Sequence, residues 1–176
     1  MFKRILSVNE IMEEMSIFLF GARQTGKSTY LKNAFPNAMY IDLLNASVRR
    51  IYKNQPSVLY DQLAESNIST VIIDEITEVP DLLNEVHRLI FKTDIRFVIC
   101  ASSARKLRRK GANTLGGRAF PCYLYPLVSA EIPELDIDRA INVGMIPTHY
   151  LSKRPQILLS AYIDVYLQQE IKAEAI

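Results

Sequence analysis

The chain has 176 residues, of which 49% are hydrophobic and 23% are charged. These proportions are close to globular averages and exclude collagen, coiled coils and disordered chains. The 21 Lys and Arg residues against 19 Asp and Glu leave a net charge of +2, which neither favours nor excludes a nucleic-acid partner. At about 150 residues per domain, the length predicts one domain with a small appendage.

The N-terminal half alternates helical patterns with short apolar runs. We predict a helix over 3–15, a strand over 16–20, a helix over 26–33, a strand over 38–43 and helical structure over 44–66 with a break near Pro56. The inward positions predicted for the first helix are Ile5, Leu6, Ile11, Met12 and Met15.

The same alternation continues beyond residue 66. We predict a strand over 70–74, a helix over 80–92, a strand over 95–101 and a fifth strand over 119–127. Pro121 lacks a backbone N–H and therefore predicts an edge or late-pairing position for the fifth strand. Near-continuous apolar strands that alternate with helices are typical of a parallel sheet covered on both faces.

The character of the sequence changes near residue 131. Prolines punctuate the region, no further strand is convincing, and residues 156–175 follow a helical pattern without a stop signal. We therefore expect a nucleotide-binding domain over 1–130 and a small helical, lid-like extension over 131–176 that is a piece of a longer protein.

The compartment is also indicated by the sequence. No apolar stretch approaches the ~18 residues needed to span a membrane, and the N-terminal apolar region is too short for a signal peptide. Cys100 and Cys122 both lie in apolar runs, which is typical of buried thiols in a reducing cytoplasm. We expect a cytoplasmic protein that does not contact membranes.

Residues 21–28, GARQTGKS, match the phosphate-loop pattern G-x-x-x-x-G-K-[ST] between a predicted strand and a predicted helix. In such a loop, backbone N–H groups and a helix N-terminus surround the phosphates of a nucleotide. We expect a solvent-side Lys27 to reach the β and γ phosphates and Ser28 to bind Mg²⁺. The predicted nucleotide-binding residues are Gly21, Ala22, Arg23, Gln24, Thr25, Gly26, Lys27, Ser28 and Thr29.

The third strand, VIID, ends in two adjacent carboxylates, Asp74 and Glu75. Ligands of open α/β sheets bind at the carboxyl ends of the strands, where the phosphate loop also lies. We predict that Asp74 orients Mg²⁺ and that Glu75 polarises the attacking water as a general base. The alternative is a carboxylate pair that only caps the next helix.

Three blocks together resemble the predicted ATPases of the AAA+ superfamily found in archaea and bacteria. They are GARQTGKST, VIIDEITEVPDLLNEVHRLI and ICASSARKLRRKGANTLGGRAF. The resemblance implies ATP and Mg²⁺ as ligands and an α/β P-loop fold, a three-layer αβα sandwich with a five-stranded parallel sheet and a helical lid. In that family a winged-helix region and a restriction-endonuclease-like domain usually follow; no DNA-cleavage role is carried over to this chain.

The resemblance assigns roles to two more residues. Ser102 occupies the sensor 1 place, and Arg118 is the candidate arginine finger, acting on the nucleotide of a neighbouring subunit of a homo-oligomer. Each role has an alternative of equal weight. Ser102 could only cap the following helix, and Arg118 could be a solvated surface arginine.

The basic segment 105–110 lies in a stretch without any acid, residues 95–130. The segment could form a solvated helix face, a subunit interface or a DNA contact.

The sequence as a whole leaves three functions open: an ATPase coupled to conformational change, a switch that binds ATP or ADP with little turnover, and a DNA-associated ATPase.

Overall fold

The computed structural model describes residues 2–109 and 115–166 of the chain. The strands are β1 (Ser16–Phe20), β2 (Met39–Asp42), β3 (Thr70–Asp74), β4 (Arg96–Ala101) and β5 (Ala119–Tyr123). The helices are α1 (Asn9–Glu14), α2 (Lys27–Ala34), α3 (Ala46–Asn54), α4 (Val58–Leu63), α5 (Leu82–Lys92), α6 (Ala104–Arg109), α7 (Ile137–Val143), α8 (Pro147–Leu151) and α9 (Pro155–Tyr166). Residues 6–125 form one compact unit, and the remaining described residues form another.

The five strands form one sheet in the order β2-β3-β4-β1-β5, and every pairing in it is parallel. The predicted five-stranded parallel sheet is thus confirmed, and β5 lies at an edge, one of the two positions predicted from Pro121. Because all the pairings are parallel, the carboxyl ends of the strands lie at the same end of the sheet. There the ends of β3, β4 and β1 are successive neighbours.

Alternation along each strand sends side chains to opposite faces of the sheet. In β1, Phe18 and Phe20 join a large apolar cluster with side chains of α3, α4 and α5. Ile17 and Leu19 join a second cluster with side chains of α1 and α2. The sheet is therefore the middle layer of three, as expected for the αβα sandwich. Cys100 and Cys122 are buried in the second cluster.

The predicted helix over 3–15 is wrong in its first half. Helix α1 covers only Asn9–Glu14, and Ile5, expected to face inward, has 61% of its surface exposed. The backbone N–H of Ile5 donates to Glu131 Oε1 at 2.8 Å, and Arg4 Nε donates to the same oxygen at 3.0 Å. A buried carboxylate 126 residues away thus fixes the backbone at Arg4 and Ile5 outside any helix.

The second unit has a small apolar core of its own. Leu127, Ile132, Val143 and Tyr150 are buried together. Glu131 is buried as well, and its second oxygen accepts from the N–H of Val128 at 3.3 Å. The predicted helix over 156–175 corresponds to α9, and residues 167–175 of that prediction lie outside the described residues.

Candidate nucleotide-binding site

The phosphate loop connects β1 to α2 through two left-handed backbone positions. Gln24 has φ 65°, and Gly26, which immediately precedes α2, has φ 90°. Gly26 suits this conformation because it has no Cβ to clash with its own backbone. The loop therefore ends at the N-terminus of a helix, where N–H groups without helical partners favour an anion.

Gly21 is required for a different reason, the close approach of another chain segment. A Cβ on Gly21 would lie 2.4 Å from the carbonyl oxygen of Leu124, just beyond β5. Leu124 is held there by its N–H, which donates to Phe20 O at 2.8 Å. The first glycine of the motif thus lets the segment after β5 pack directly against the start of the loop.

Lys27 is buried, with only 9% of its surface exposed. Its ammonium donates to Gly21 O at 2.6 Å and to Ala22 O at 3.1 Å, so it bonds carbonyls of the loop's own first turn. The expectation of a solvent-side lysine is wrong, because folding of the loop encloses the side chain. Thr25, fully buried, also bonds this turn, with Oγ1 donating to Ala22 O at 2.9 Å.

Asp74 meets the loop at the carboxyl edge of the sheet, where 6% of its surface is exposed. Its Oδ2 accepts a hydrogen bond from Ser28 Oγ at 2.6 Å. The same oxygen accepts from the hydroxyl of Tyr40 on β2, a residue that the sequence analysis missed. Burial, together with the hydrogen bond to Asp74, raises the pKa of Tyr40 well above its usual range, so the hydroxyl keeps its proton and acts as the donor.

Glu75 follows β3 in a left-handed conformation, with φ 59° and ψ 57°. Its Oε1 accepts from Thr77 Oγ1 at 2.5 Å, and from Ser102 through N at 3.3 Å and Oγ at 3.2 Å. Ser102 directly follows β4, so the two neighbouring strand ends meet at this carboxylate. Thr77 is buried and was also missed; its only sequence signal is its position two residues after Glu75.

Three further residues predicted to bind the nucleotide, Arg23, Gln24 and Thr29, are exposed.

Arg118 does not lie at the phosphate loop. It precedes Ala119, which aligns with Ser16 at the start of β1, and therefore sits at the sheet edge opposite the phosphate loop. Its guanidinium carbon lies 4.2 Å from the centre of the exposed Phe91 ring.

The basic segment begins in α6, where Arg105 is exposed. The side chains of residues 106, 108 and 109, and the whole of residue 110, lie outside the described residues.

Over the described ranges 2–109 and 115–166, no three metal-ligating side chains gather as a cluster. In the same ranges, no helix has the length and apolar character to cross a membrane.

The oxygens gathered at this site suit one kind of metal ion. Ser28 and Asp74 offer a hydroxyl and a carboxylate beside the phosphate loop. Hard oxygen donors of this type fit Mg²⁺, which is usually held by one or two protein oxygens together with water and substrate phosphates. The residues therefore fit the metal that the motif predicts.

Fold and site together define an α/β protein of the P-loop NTPase class, with a phosphate loop on the first strand of a parallel sheet. The chain belongs to the AAA_14 family of AAA domains, whose model matches residues 13–133, more than half of its length. It is therefore a nucleotide-binding module of the AAA+ class. No curated protein matches it significantly.

Solved structures of similar fold share little sequence with it. A Bacteroides Pif1 bound to ssDNA has 16% identity and a TM-score of 0.47, over 86% of this chain and 47% of that one. A STAND ATPase with a tetratricopeptide repeat sensor, from Pyrococcus horikoshii, has 14% identity and a TM-score of 0.49, over 94% and 28%. Aeropyrum pernix ORC1 in complex with DNA has 16% identity and a TM-score of 0.45, over 74% and 48%. The chain thus spans about half or less of each of these proteins.

Proposed function

We propose that this module binds ATP with Mg²⁺ and hydrolyses it, coupling turnover to a conformational change. The observation that carries the proposal is the hydrogen bond of 2.6 Å between Ser28 and Asp74. The two residues are 46 positions apart in the chain, and the fold brings together the hydroxyl and the carboxylate that we expect to hold Mg²⁺. A glycine-containing turn that only connected β1 to α2 would not need a carboxylate hydrogen-bonded to its last residue.

The chain's own residues suggest how the reaction is supported. Lys27 is buried beneath the loop, and we expect it to exchange its carbonyl partners for phosphate oxygens when nucleotide binds. A bound Mg²⁺ would supply charge neutralisation at the phosphates, with Ser28 and Asp74 holding it. A partly exposed Glu75 remains our candidate general base, and Ser102 and Thr77 fix its orientation.

Steady-state hydrolysis tests the proposal most directly. We expect phosphate release that requires Mg²⁺ and that disappears in Lys27→Ala, which should also lose nucleotide affinity. Tight ATP binding without turnover would favour the switch that binds ATP or ADP. A rate that rises several-fold on adding single- or double-stranded DNA would favour the DNA-associated ATPase. Unchanged nucleotide affinity in Lys27→Ala would refute the site itself.

We further propose that Arg118 acts on the nucleotide of a second copy of the chain. It lies at the sheet edge opposite the phosphate loop, so it cannot serve the site of its own subunit in this conformation. An arginine supplied by a neighbour contributes about 10³-fold or more to kcat in related chemistry. Specific activity should therefore rise with protein concentration, and sedimentation with ATP bound should show assembly over the same range.

Variants separate this role from an ordinary surface charge. Arg118→Ala should abolish the rise with concentration and leave ATP affinity unchanged. Mixing Arg118→Ala with Glu75→Gln should restore activity, because each variant supplies the residue that the other lacks. Arg88→Ala is the matched control, since Arg88 also stacks on an aromatic ring, that of Tyr60 at 3.7 Å. Equal effects of Arg118→Ala and Arg88→Ala would contradict the proposal.

A further inference from the structure

Two hydroxyl groups from different elements donate to one oxygen of Asp74. Ser28 reaches Oδ2 from the first turn of α2, and Tyr40 reaches it from the middle of β2. A buried carboxylate that accepts from two fixed donors on one oxygen has little freedom to rotate. The orientation of Asp74 is therefore set by both elements and not by the phosphate loop alone.

The position of Tyr40 follows from strand register. Tyr40 aligns with Ile72 on β3, and Ile72 and Asp74 share one face of the sheet because they are two residues apart. This face carries the apolar cluster to which α2 contributes, and Tyr40 packs against that cluster. A tyrosine at this register extends its hydroxyl along the sheet to the strand end where Asp74 lies.

Helix α2 also contacts the ring of Tyr40. The ammonium of Lys32, one turn beyond Ser28, lies 4.9 Å from the ring centre. A cation over an aromatic face is attractive and keeps the ring against the helix. The backbone of Tyr40 is thus fixed in β2, and its ring is held by α2, the helix that carries the predicted metal ligand Ser28.

We propose that Tyr40 is a positioning residue that orients Asp74 for Mg²⁺. The inference rests on the proposed function, because it assigns a task to the same site. Partners that orient a metal-binding group from outside its direct contacts typically change metal affinity by about 10- to 100-fold when they are removed. Tyr40 touches neither the phosphates nor the metal in this scheme and acts only through Asp74.

Tyr40→Phe is the test, because it removes one oxygen atom and keeps the ring. Affinity for a fluorescent ATP analogue is measured in EDTA and across a Mg²⁺ titration. In EDTA we expect Tyr40→Phe to match the wild type within about twofold. In the titration we expect it to need about tenfold more Mg²⁺ for half of the full effect. A melting curve for each variant establishes that it is folded at the assay temperature.

Tyr52→Phe is the matched control. The hydroxyl of Tyr52, on α3, donates to Gln62 Oε1 at 2.9 Å, and the residue is buried in the apolar cluster on the sheet face opposite to that of Tyr40. Its loss should lower the melting temperature without changing the Mg²⁺ requirement. A hydroxyl with a purely structural role at position 40 would behave like that of Tyr52.

Several results would overturn the inference. An unchanged or lower Mg²⁺ requirement in Tyr40→Phe would contradict it, and so would an equal loss of affinity with and without Mg²⁺. These outcomes leave the proposed function standing if the wild type still binds nucleotide and Lys27→Ala does not. A wild-type chain that binds no nucleotide would overturn both together.

Discussion

Replacing Glu75 by glutamine isolates the chemical role of its carboxylate from its structural role. The hydrogen bonds that Thr77 and Ser102 donate to Glu75 end on one oxygen, Oε1. Glutamine keeps one carbonyl oxygen, whose two lone pairs can still accept from Thr77 and from Ser102. The variant should therefore retain the local structure, including the left-handed backbone at this position.

The expected magnitudes follow from these contacts. Loss of a general base lowers kcat by about 10²- to 10⁴-fold, which is about 2.7 to 5.4 kcal/mol of activation free energy. Bonds to a charged acceptor contribute about 1.5–3 kcal/mol and neutral ones about 0.5–1.5 kcal/mol. Because Glu75 is partly exposed, we expect the free energy of unfolding to fall by less than about 2 kcal/mol. Catalysis should thus suffer much more than stability.

The assay combines steady-state phosphate release, equilibrium ATP binding and thermal unfolding. Glu75→Gln should bind ATP as the wild type does and hydrolyse it at least about 100-fold more slowly. Glu78→Gln is the control, because it removes a carboxylate three residues away that is exposed and paired with Arg49 at 3.4 Å. A kcat for Glu75→Gln equal to that of Glu78→Gln would refute the assignment of a general base.

The other predictions concern the loop and the second unit. Lys27→Met keeps the aliphatic stem and should weaken ATP binding by about 100-fold, measured by titration; wild-type affinity would contradict it. Gly21→Ala should lower the free energy of unfolding by about 1–3 kcal/mol, since its Cβ would meet Leu124 O; an unchanged denaturant midpoint would show that the segment yields freely. Glu131→Gln removes the charge that pairs with the buried Arg4, and should cost about 3–5 kcal/mol; a loss below about 1 kcal/mol in a denaturant titration would exclude a strong ion pair.

The elements that carry the candidate site were predictable because their signals are local. A run such as SIFLF, apolar throughout and closed by Gly21, indicates a strand buried on both faces. The eight-residue phosphate motif and the carboxylates after β3 are also contiguous in the chain. Strand and helix bounds within the first unit accordingly agree with the prediction to within a few residues, apart from α1.

Segments whose partners are distant in the chain were not predictable in the same way. The pattern of residues 3–15 suits a helix. Arg4 and Ile5 nevertheless donate hydrogen bonds to the carboxylate of Glu131, which is distant in the sequence. A single buried acceptor with several donors outweighs the weak helical preference of a few residues. Likewise, nothing in the local sequence indicates that Arg118 stacks on Phe91.

The sequence by itself therefore determined the class of fold and indicated the candidate residues for a phosphate site. Only the tertiary structure decided which residues support them. Strand order places β2 beside β3, and register then brings Tyr40 to Asp74 and leaves Ser102 beside Glu75. Parallel neighbours are joined through long crossovers, so their order and register depend on how whole helices pack on the sheet. Burial of Lys27 beneath its own loop has the same origin, since enclosure is a property of the folded chain and not of any short segment.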